Sequence, residues 1–189
     1  MHLINEALAE VARLVSGRDG KPTAGIVDSQ SVKTTESGGP CGYDAGKKIK
    51  GRKRHIVTDT EGNMLSLITH TADIQDRNGG PGVIKPALDS FPTLARIFAD
   101  GGYAGEQVKD DVNAFHGPTV EIIKRPRHVP GFVVIARRWV VERTFAWLGR
   151  CRRLAKDRET TIASSEAWTL IASIRRETRY IARKLIAEV

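Results

Sequence analysis

The sequence predicts an α/β fold in which a mixed β-sheet is flanked by helices. Two neighbouring strand patterns joined by a tight turn indicate antiparallel pairing early in the chain. Strand and helix patterns then alternate, which is typical of parallel strands connected through helices. The chain has 189 residues and a hydrophobic fraction of 40%, which is enough for one domain with a real core.

The first half is expected to supply the antiparallel part of the sheet. Apolar residues at helical spacing predict an N-terminal helix, and a polar segment rich in glycine and proline ends it. The elements then follow in order: a helix at 4–15, a strand at 24–28, a glycine-containing loop at 36–54, and paired strands at 55–59 and 64–71 joined by the turn Glu61-Gly62-Asn63.

The second half is expected to alternate between helices and strands. Its predicted elements are a helix at 82–90, a strand at 95–99, a helix at 105–115, a strand at 119–123, a helix at 136–154 and a last helix at 164–187. Ser164 is a suitable N-cap for the last helix. The predicted packing face of that helix consists of Trp168, Ile171, Ile174, Ile181 and Leu185.

The charge balance narrows the class of partner. There are 30 Lys and Arg residues against 22 Asp and Glu residues, which gives a net charge of +8 and favours a polyanion. The sequence contains no apolar run long enough to cross a membrane and no secretory signal pattern. The two cysteines, Cys41 and Cys151, are expected to be reduced thiols of a cytoplasmic protein.

Three acidic residues stand in contexts that suit catalysis. Asp28 ends a short apolar strand, and Asp100 ends another one directly before Gly101 and Gly102. Glu142 lies four residues after Arg138, so the two share a face of a helix and Glu142 is expected to be partly shielded. Carboxylates from two strands and a helix can hold a pair of Mg²⁺ ions for displacement at phosphorus.

Simpler explanations exist for each acidic residue. Either aspartate alone could cap a turn, and Glu142 with Arg138 could form a surface ion pair of little consequence. Four other aspartates are interpreted as surface or capping residues: Asp44, Asp59, Asp73 and Asp76. Of these, Asp73 and Asp76 could also support the site.

Two basic clusters are candidate DNA contacts. The functional hypothesis is that these clusters neutralise DNA phosphates. The alternative is that they are only charged segments in contact with solvent. The first cluster comprises Lys47, Lys48, Lys50, Arg52, Lys53 and Arg54. The second lies on the helix with Glu142, among Trp139 and Trp147, and its candidates are Arg138, Arg143 and Arg150. Trp147 is expected to belong to the core. Zinc-ligand spacings, a phosphate-binding loop and a dinucleotide fingerprint are absent from the sequence.

Five segments resemble bacterial DDE transposases of the insertion sequence four and five groups, over roughly residues 24–185. They are Asp-Ser-Gln-Ser-Val-Lys-Thr at 28–34, the basic strand at 50–60, Ala-Asp-Gly-Gly-Tyr-Ala-Gly at 99–105, Arg-Trp-Val-Val-Glu-Arg-Thr-Phe-Ala-Trp-Leu at 138–148, and 152–159. The resemblance implies a ribonuclease-H-like catalytic domain at 23–189, with residues 1–22 as the remnant of an N-terminal helical region and linker.

The resemblance also implies a function in DNA transposition and recombination through strand cleavage and strand transfer. Asp28, Asp100 and Glu142 take the positions of the family's metal-binding catalytic triad, which uses two Mg²⁺ or Mn²⁺ ions. The implied partners are the terminal repeats of the element, target DNA and a second copy of the chain in the active complex. The implied location is the bacterial cytoplasm, in association with the nucleoid.

Two departures from the family are visible. In its signature for the third-acid helix, Arg138 matches the arginine and Glu142 the glutamate, but Ile135 replaces the tyrosine and Gly149 the lysine, with Arg150 adjacent. Only 27 residues precede Asp28, so we expect the catalytic part of a split or truncated transposase, joined to an upstream reading frame or left as a remnant. The alternatives are a hydrolytic ribonuclease-H-like nuclease and a DNA-binding fragment without catalysis.

Overall fold

A computed structural model describes residues 1–36, 38–123 and 137–187. One six-stranded sheet organises them, and its strands are β1 (Ala24–Lys33), β2 (Gly42–Asp44), β3 (Ile49–Asp59), β4 (Met64–Thr71), β5 (Arg96–Ala99) and β6 (Thr119–Ile122). The helices are α1 (His2–Leu14), α2 (Asp76–Ser90), α3 (Glu106–Ala114), α4 (Arg138–Gly149) and α5 (Ile162–Ala187), with a 3₁₀ turn at Gly101–Tyr103.

Strand β1 lies in the centre of the sheet and separates its two halves. On one side, β1 pairs antiparallel with β3, and β3 pairs antiparallel with both β4 and β2. On the other side, β1 runs parallel to β5, which runs parallel to β6. The predicted α/β class, with a mixed sheet flanked by helices, is therefore confirmed.

Each face of the sheet has its own apolar core. Because side chains alternate along a strand, neighbouring residues point to opposite faces. Val27 contributes to a core with α2 and α3, whereas Ile26 contributes to a core with α4 and α5. The residues of β1 that follow Ile26 at a spacing of two therefore face the α4 layer, and those that follow Val27 face the α2 layer.

The predicted loop at 36–54 is partly wrong. Strand β2 occupies its middle, and β3 begins at Ile49, so most of the first basic cluster lies within a strand. Buried acidic partners make this possible. Arg52 Nη1 lies 3.1 Å from Asp157 Oδ1, and Lys53 Nζ lies 3.0 Å from Asp76 Oδ1. A charged side chain in a sheet interior is tolerated when such a partner is present.

Helix α2 begins six residues earlier than predicted, at Asp76. The segment Gly79-Gly80-Pro81-Gly82 disfavours a helix by its local preference. Tertiary contacts reverse that preference here. A Cβ atom on Gly79 would lie 2.6 Å from His55 Nε2, and one on Gly80 would lie 2.8 Å from the Tyr103 ring. Glycine therefore allows α2 to pack directly on these rings.

The predicted packing face of α5 is only partly correct. Ile181 is buried, but Ile171 and Leu185 are exposed. The buried positions of this helix are mostly small or polar residues: Ser165, Thr169, Leu170, Ser173, Glu177 and Ile181. Small side chains allow close approach to neighbouring elements, and hydrogen bonds within the helix, such as Thr169 Oγ1 to the Ser165 carbonyl, satisfy the hydroxyl groups.

Helix α1 packs against β4 and α5. Ala9 and Ala12 are fully buried, and Asn5 Nδ2 donates a 2.6 Å hydrogen bond to the Met64 carbonyl. Arg13 Nη1 forms a 2.9 Å ion pair with the buried Asp59. The division between residues 1–22 and 23–189 remains a prediction. In the described part of the chain, no helix is long and apolar enough to cross a membrane.

Candidate active site

Asp28 and Asp100 lie at the same edge of the sheet. Strands β1 and β5 are parallel neighbours in which Ile26 pairs with Phe98, so the same register places Asp28 opposite Asp100, directly beyond the end of β5. Both aspartates follow residues of the α4-facing core at a spacing of two. The geometry of the sheet therefore aims both carboxylates toward the layer that contains α4.

Asp28 has an unusual electrostatic environment. Burial raises the pKa of its carboxyl group to about 6, and the neighbouring Asp100 carboxylate adds to that increase. The backbone N–H of Ser29 donates a 2.7 Å hydrogen bond to Asp28 Oδ1 and lowers the pKa, as do the charges of Arg138 and Lys47. A cation beside Asp28 and Asp100 would therefore relieve an electrostatic cost.

The two oxygens of Asp100 have different partners. Oδ1 accepts a 2.7 Å hydrogen bond from the backbone N–H of Gly102 and caps the 3₁₀ turn. Oδ2 lies 3.5 Å from Arg138 Nη2. The turn holds Asp100 in place while one of its oxygens points to the α4 layer.

Arg138 connects Glu142 with Asp100. Nη2 of Arg138 lies 3.4 Å from Glu142 Oε1, while it also contacts Asp100. The expected partial shielding of Glu142 is modest, because 54% of its side chain is exposed. Within the described residues, no group of three His, Cys, Asp or Glu side chains is already arranged to hold a metal ion. A guanidinium joins two of the predicted ligands instead.

Asp76 and Ser29 extend the site on the α2 side of the sheet. Ser29 Oγ donates a 2.7 Å hydrogen bond to Asp76 Oδ1, which also pairs with Lys53. Burial opposes ionisation of Asp76, but these partners outweigh it and lower its pKa. The possible supporting role predicted for Asp76 thus has a structural basis. Asp44 and Asp59, interpreted above as surface or capping residues, are both buried. They are capping residues, because Asp44 Oδ1 accepts from the Lys47 N–H and Asp59 Oδ1 accepts from the Glu61 and Asn63 N–H groups.

Tyr103, His55 and His70 form a cluster beneath this edge that was not predicted. Tyr103 and His55 are buried, and His70 is half-buried. The Tyr103 hydroxyl and His55 Nδ1 share a 3.0 Å hydrogen bond, and the two histidine rings lie 4.7 Å apart. Burial, followed by the proximity of His70, lowers the pKa of His55 to about 3, so its imidazole is neutral. Burial and the nearby carboxylates raise the pKa of Tyr103 well above its usual value. Gly79-Gly80 was the available signal, because adjacent glycines often mark a close approach.

The first basic cluster divides into two groups. Lys47, Lys48 and Lys50 are exposed, and Lys47 Nζ donates to the carbonyl of Ser29. The other three side chains are buried, with exposed fractions of 0%, 4% and 2% for Arg52, Lys53 and Arg54. Their prediction as phosphate contacts is wrong for this fold, because their charges are already paired with aspartates inside the protein.

The second basic cluster lies on α4 and in its C-terminal turn. Arg138 is half-buried between two carboxylates, Arg143 is half-buried and Arg150 is exposed. Trp147 is also half-buried, so the expectation that it belongs to the core is only partly correct. Ile135, at the family's tyrosine position, lies outside the described residues.

A family profile and a curated relative match the sequence of this chain. The family profile described as Transposase DDE domain matches residues 19–175. The transposase assigned to insertion sequence element IS402 of Burkholderia cepacia is 33% identical over 116 residues, which cover 55% of this chain and 52% of that protein. The chain therefore spans about half the length of this curated relative.

Solved transposase structures are similar at low identity. The catalytic domain of Mos1 mariner transposase is 10% identical, with a TM-score of 0.45 over 97% of this chain and 92% of that one. The Mos1 paired-end complex with Mn is 11% identical, with a TM-score of 0.41 over 97% of this chain and 62% of that one.

The order and directions of the strands agree with the ribonuclease-H-like core that the resemblance implies. The family profile covers both strands that place the aspartates and the helix that contains Glu142. This chain belongs to the Transposase DDE domain family.

Proposed function

We propose that this chain is the catalytic domain of a DNA transposase that cleaves and joins phosphodiester bonds at Asp28, Asp100 and Glu142. The observation that carries the proposal is the parallel pairing of Ile26 in β1 with Phe98 in β5, because Asp28 and Asp100 follow these two residues at the same spacing. Arg138 connects this pair with Glu142 on the opposing helix. The residues come from three separate parts of the sequence, and the contacts of Arg138 with Asp100 and Glu142 support the proposal that they act together.

The donor set suits a hard divalent cation. All three side chains offer oxygen atoms, which Mg²⁺ and Mn²⁺ prefer over the nitrogen and sulfur ligands typical of zinc. Asp100 and Glu142 already share one positive charge, that of Arg138. Two bound ions would activate the attacking oxygen and stabilise the leaving oxygen. Asp28, Asp100 and Glu142 would hold them.

The reaction is an in-line substitution at phosphorus. A water oxygen attacks the phosphorus atom, the bond from phosphorus to the 3′-oxygen breaks, and a free 3′-hydroxyl results. That hydroxyl then attacks a phosphodiester of target DNA and releases a new 3′-hydroxyl there. Arg138 would turn from the carboxylates to the phosphate, where its planar guanidinium can donate two hydrogen bonds. On the resemblance alone, we propose that two copies of the chain act together.

A strand-transfer assay tests the proposal. The chain is incubated with Mn²⁺, supercoiled plasmid and a labelled duplex that has free 3′-hydroxyl ends. We expect nicked plasmid and labelled joined product. Asp28→Asn and Asp100→Asn should abolish both products and leave DNA affinity nearly unchanged, because the amide keeps the shape but not the charge that holds a cation.

Asp110→Asn is the matched control, since Asp110 is an exposed aspartate on α3. Nicking without joined product would instead support the hydrolytic nuclease. A mobility shift that is identical with and without Mn²⁺, and without any cleavage, would support a fragment that only binds DNA. Retained cleavage in Asp100→Asn would refute its role as a ligand.

A further inference from the structure

A wide groove lies beside the candidate active site, between α4, α5 and the turn from β3 to β4. Its volume is about 1290 Å³, and its lining is strongly basic. One carboxylate, that of Glu61, faces seven arginines: Arg18, Arg143, Arg150, Arg175, Arg176, Arg179 and Arg183. Such an excess of one charge in a concave surface attracts a polyanion.

Tryptophan rings hold two of the arginines in place. The guanidinium of Arg143 lies 4.3 Å from the ring centre of Trp139 and 4.5 Å from that of Trp147. Arg176 approaches Trp147 at 5.0 Å. These cation–π contacts fix the guanidinium groups before any ligand arrives, which lowers the entropy cost of binding.

The same two arginines are crowded together. Burial, followed by the proximity of Arg176, lowers the pKa of Arg143. Within the described residues, their hydrogen bonds run through Nη2: Arg143 donates to the Glu61 carbonyl, and Arg176 donates to Asn63 Oδ1 and Glu177 Oε1. An anion in the groove would offset the repulsion between the two charges.

Helix α5 continues the basic surface. Arg175, Arg179 and Arg183 are exposed and follow each other at intervals of four residues, so they lie on one face of the helix. The three span about 12 Å along the helix axis. One strand of a duplex presents a phosphate about every 3.4 Å along its axis, so this face spans three or four phosphates.

The arrangement of the rings indicates which part of DNA is bound. A surface for unpaired bases would leave aromatic faces open for stacking. Here Arg143 lies between Trp139 and Trp147, and Arg153 lies 4.2 Å from the ring centre of Trp168. The rings therefore serve as supports for cations, and one of these cations, Arg143, lines the groove.

We propose that this groove binds the phosphate backbone of duplex DNA that flanks the cleaved bond. The inference rests on the proposed function, because Trp139 and Arg143 are close neighbours of Glu142 on α4. We call the sheet edge that contains Asp28 and Asp100 the carboxylate edge. A duplex in the groove would extend from this edge along α4 toward α5. Contacts to phosphates alone position DNA without reading its sequence.

The test measures binding without chemistry. The affinity of the full chain for a labelled duplex of about 30 base pairs and for one strand of that duplex is titrated without divalent metal across a range of NaCl concentrations. The groove variant is Arg175→Ala, Arg179→Ala and Arg183→Ala together. The control variant removes the same charge from exposed residues outside the groove, through Lys85→Ala, Arg96→Ala and Lys109→Ala.

For the duplex, the groove variant should flatten the log–log salt slope by about 2–3 units, since each lost phosphate contact contributes about 0.9. The control variant should change the slope by less than one such contact. Trp147→Leu, which removes a support from Arg143 and Arg176, should weaken duplex binding in the same direction. The wild-type chain should bind the duplex more tightly than the single strand.

Equal slopes for the groove and control variants would overturn the proposal. So would tighter binding of the single strand that Trp139→Leu abolishes, because that result indicates base stacking. The catalytic proposal is separable. If only the groove variant loses duplex binding, the proposal that the groove binds DNA is supported, even when the wild-type chain cleaves nothing. If the wild-type chain cleaves plasmid and the groove variant binds like the control, only the groove proposal fails.

Discussion

Tyr103 connects the carboxylate edge with the interior of the domain. It belongs to the turn that Asp100 caps, and its hydroxyl reaches the buried His55. Its ring fills the space that Gly80 leaves open, so little room remains for the turn to shift. We infer that Tyr103 is a positioning residue for Asp100, because groups behind metal ligands fix their orientation.

We predict that Tyr103→Phe reduces the rate of plasmid nicking by about 10–100-fold at saturating DNA. The substitution removes the hydrogen bond to His55 but keeps the ring. The concentration of Mn²⁺ at half-maximal rate should rise, and the dissociation constant for DNA should not change. Tyr43→Phe, at a tyrosine that is 55% exposed, is the control. An unchanged Mn²⁺ dependence would show that Tyr103 does not position a ligand.

Glu177 is a buried carboxyl group on the other side of the molecule. It is fully buried on α5, and burial raises its pKa to about 7, against the opposing effects of Arg176 and Ser173. Its pKa in the unfolded chain is close to the usual 4.5. The folded state therefore prefers the protonated form, and the resulting stabilisation is complete below pH 4.5 and is lost as the pH rises through about 7.

We predict that Glu177→Gln increases the free energy of unfolding at pH 8.5 by about 2–3 kcal/mol relative to the wild type. The difference should be nearly gone at pH 4.5, where the glutamate is protonated in the folded state and half protonated in the unfolded state. Urea titrations at both pH values measure the effect. Asp89→Asn, at a side chain that is 61% exposed, is the control. A variant that is less stable than the wild type at pH 8.5 would contradict the prediction.

Strand β3 determines which residues of the first basic cluster are buried. It pairs with β1 over nine residues, from Gly51 to Asp59, and its cations must therefore find partners within the protein. Asp157 is the main partner. It accepts from Arg52 at 3.1 Å and lies 3.7 Å from Arg54, and its backbone N–H donates to the Lys33 carbonyl at the end of β1.

We predict that Asp157→Ala lowers the free energy of unfolding by about 3–5 kcal/mol, because two buried arginines lose their countercharge. Asp157→Asn should be less damaging, since the amide keeps the shape and can still accept hydrogen bonds. Chemical denaturation of both variants measures the difference. Glu159→Ala, which removes an ion pair with the exposed Arg153, is the control. If all three variants were equally stable, the buried charges would not depend on Asp157.

The distribution of charge across the whole molecule gives the carboxylate edge a basic surface on either side. On one side lies the groove between α4 and α5. On the other side, Lys48 and Lys50 line a second open cavity together with Lys33 and Lys156. Lys47 lies between that cavity and the carboxylates, through its contact with Ser29. The acidic site therefore lies between two surfaces that attract phosphates.

We predict that Lys47→Ala, Lys48→Ala and Lys50→Ala together flatten the log–log salt slope of DNA binding by about 2–3 units without loss of stability. Arg52→Met should have the opposite pair of effects on stability and on the salt slope. It should lower stability, because it leaves Asp157 with less countercharge, and it should hardly change the slope of the protein that remains folded. Filter binding and urea denaturation of both variants measure the two effects. A triple variant with the wild-type slope would exclude these lysines as phosphate contacts.

Local sequence patterns by themselves determined most of the elements and their order, but not β2 or the first half of β3. Apolar residues repeat with the period of a strand or a helix in the central strands and in every helix of the described chain. The reason is that an element that buries one face needs apolar residues along that face. The family motifs marked Asp28, Asp100 and Glu142 as one candidate set. The placement of Asp100 directly after a strand was predictable for the same reason. The strand predicted to end at Asp28 instead continues to Lys33, because β1 keeps its pairing with β3.

Only the tertiary structure decided which charges face solvent. Six basic residues in one short segment have nearly the same local pattern, yet Lys48 is exposed and Arg52 is buried, because Asp157 lies more than a hundred residues away in the sequence. In the same way, the helix predicted to begin at residue 82 begins at Asp76, because Gly79 allows close contact with His55. Burial, pairing and close approach depend on residues that are distant in the chain, and local propensity contains no information about them.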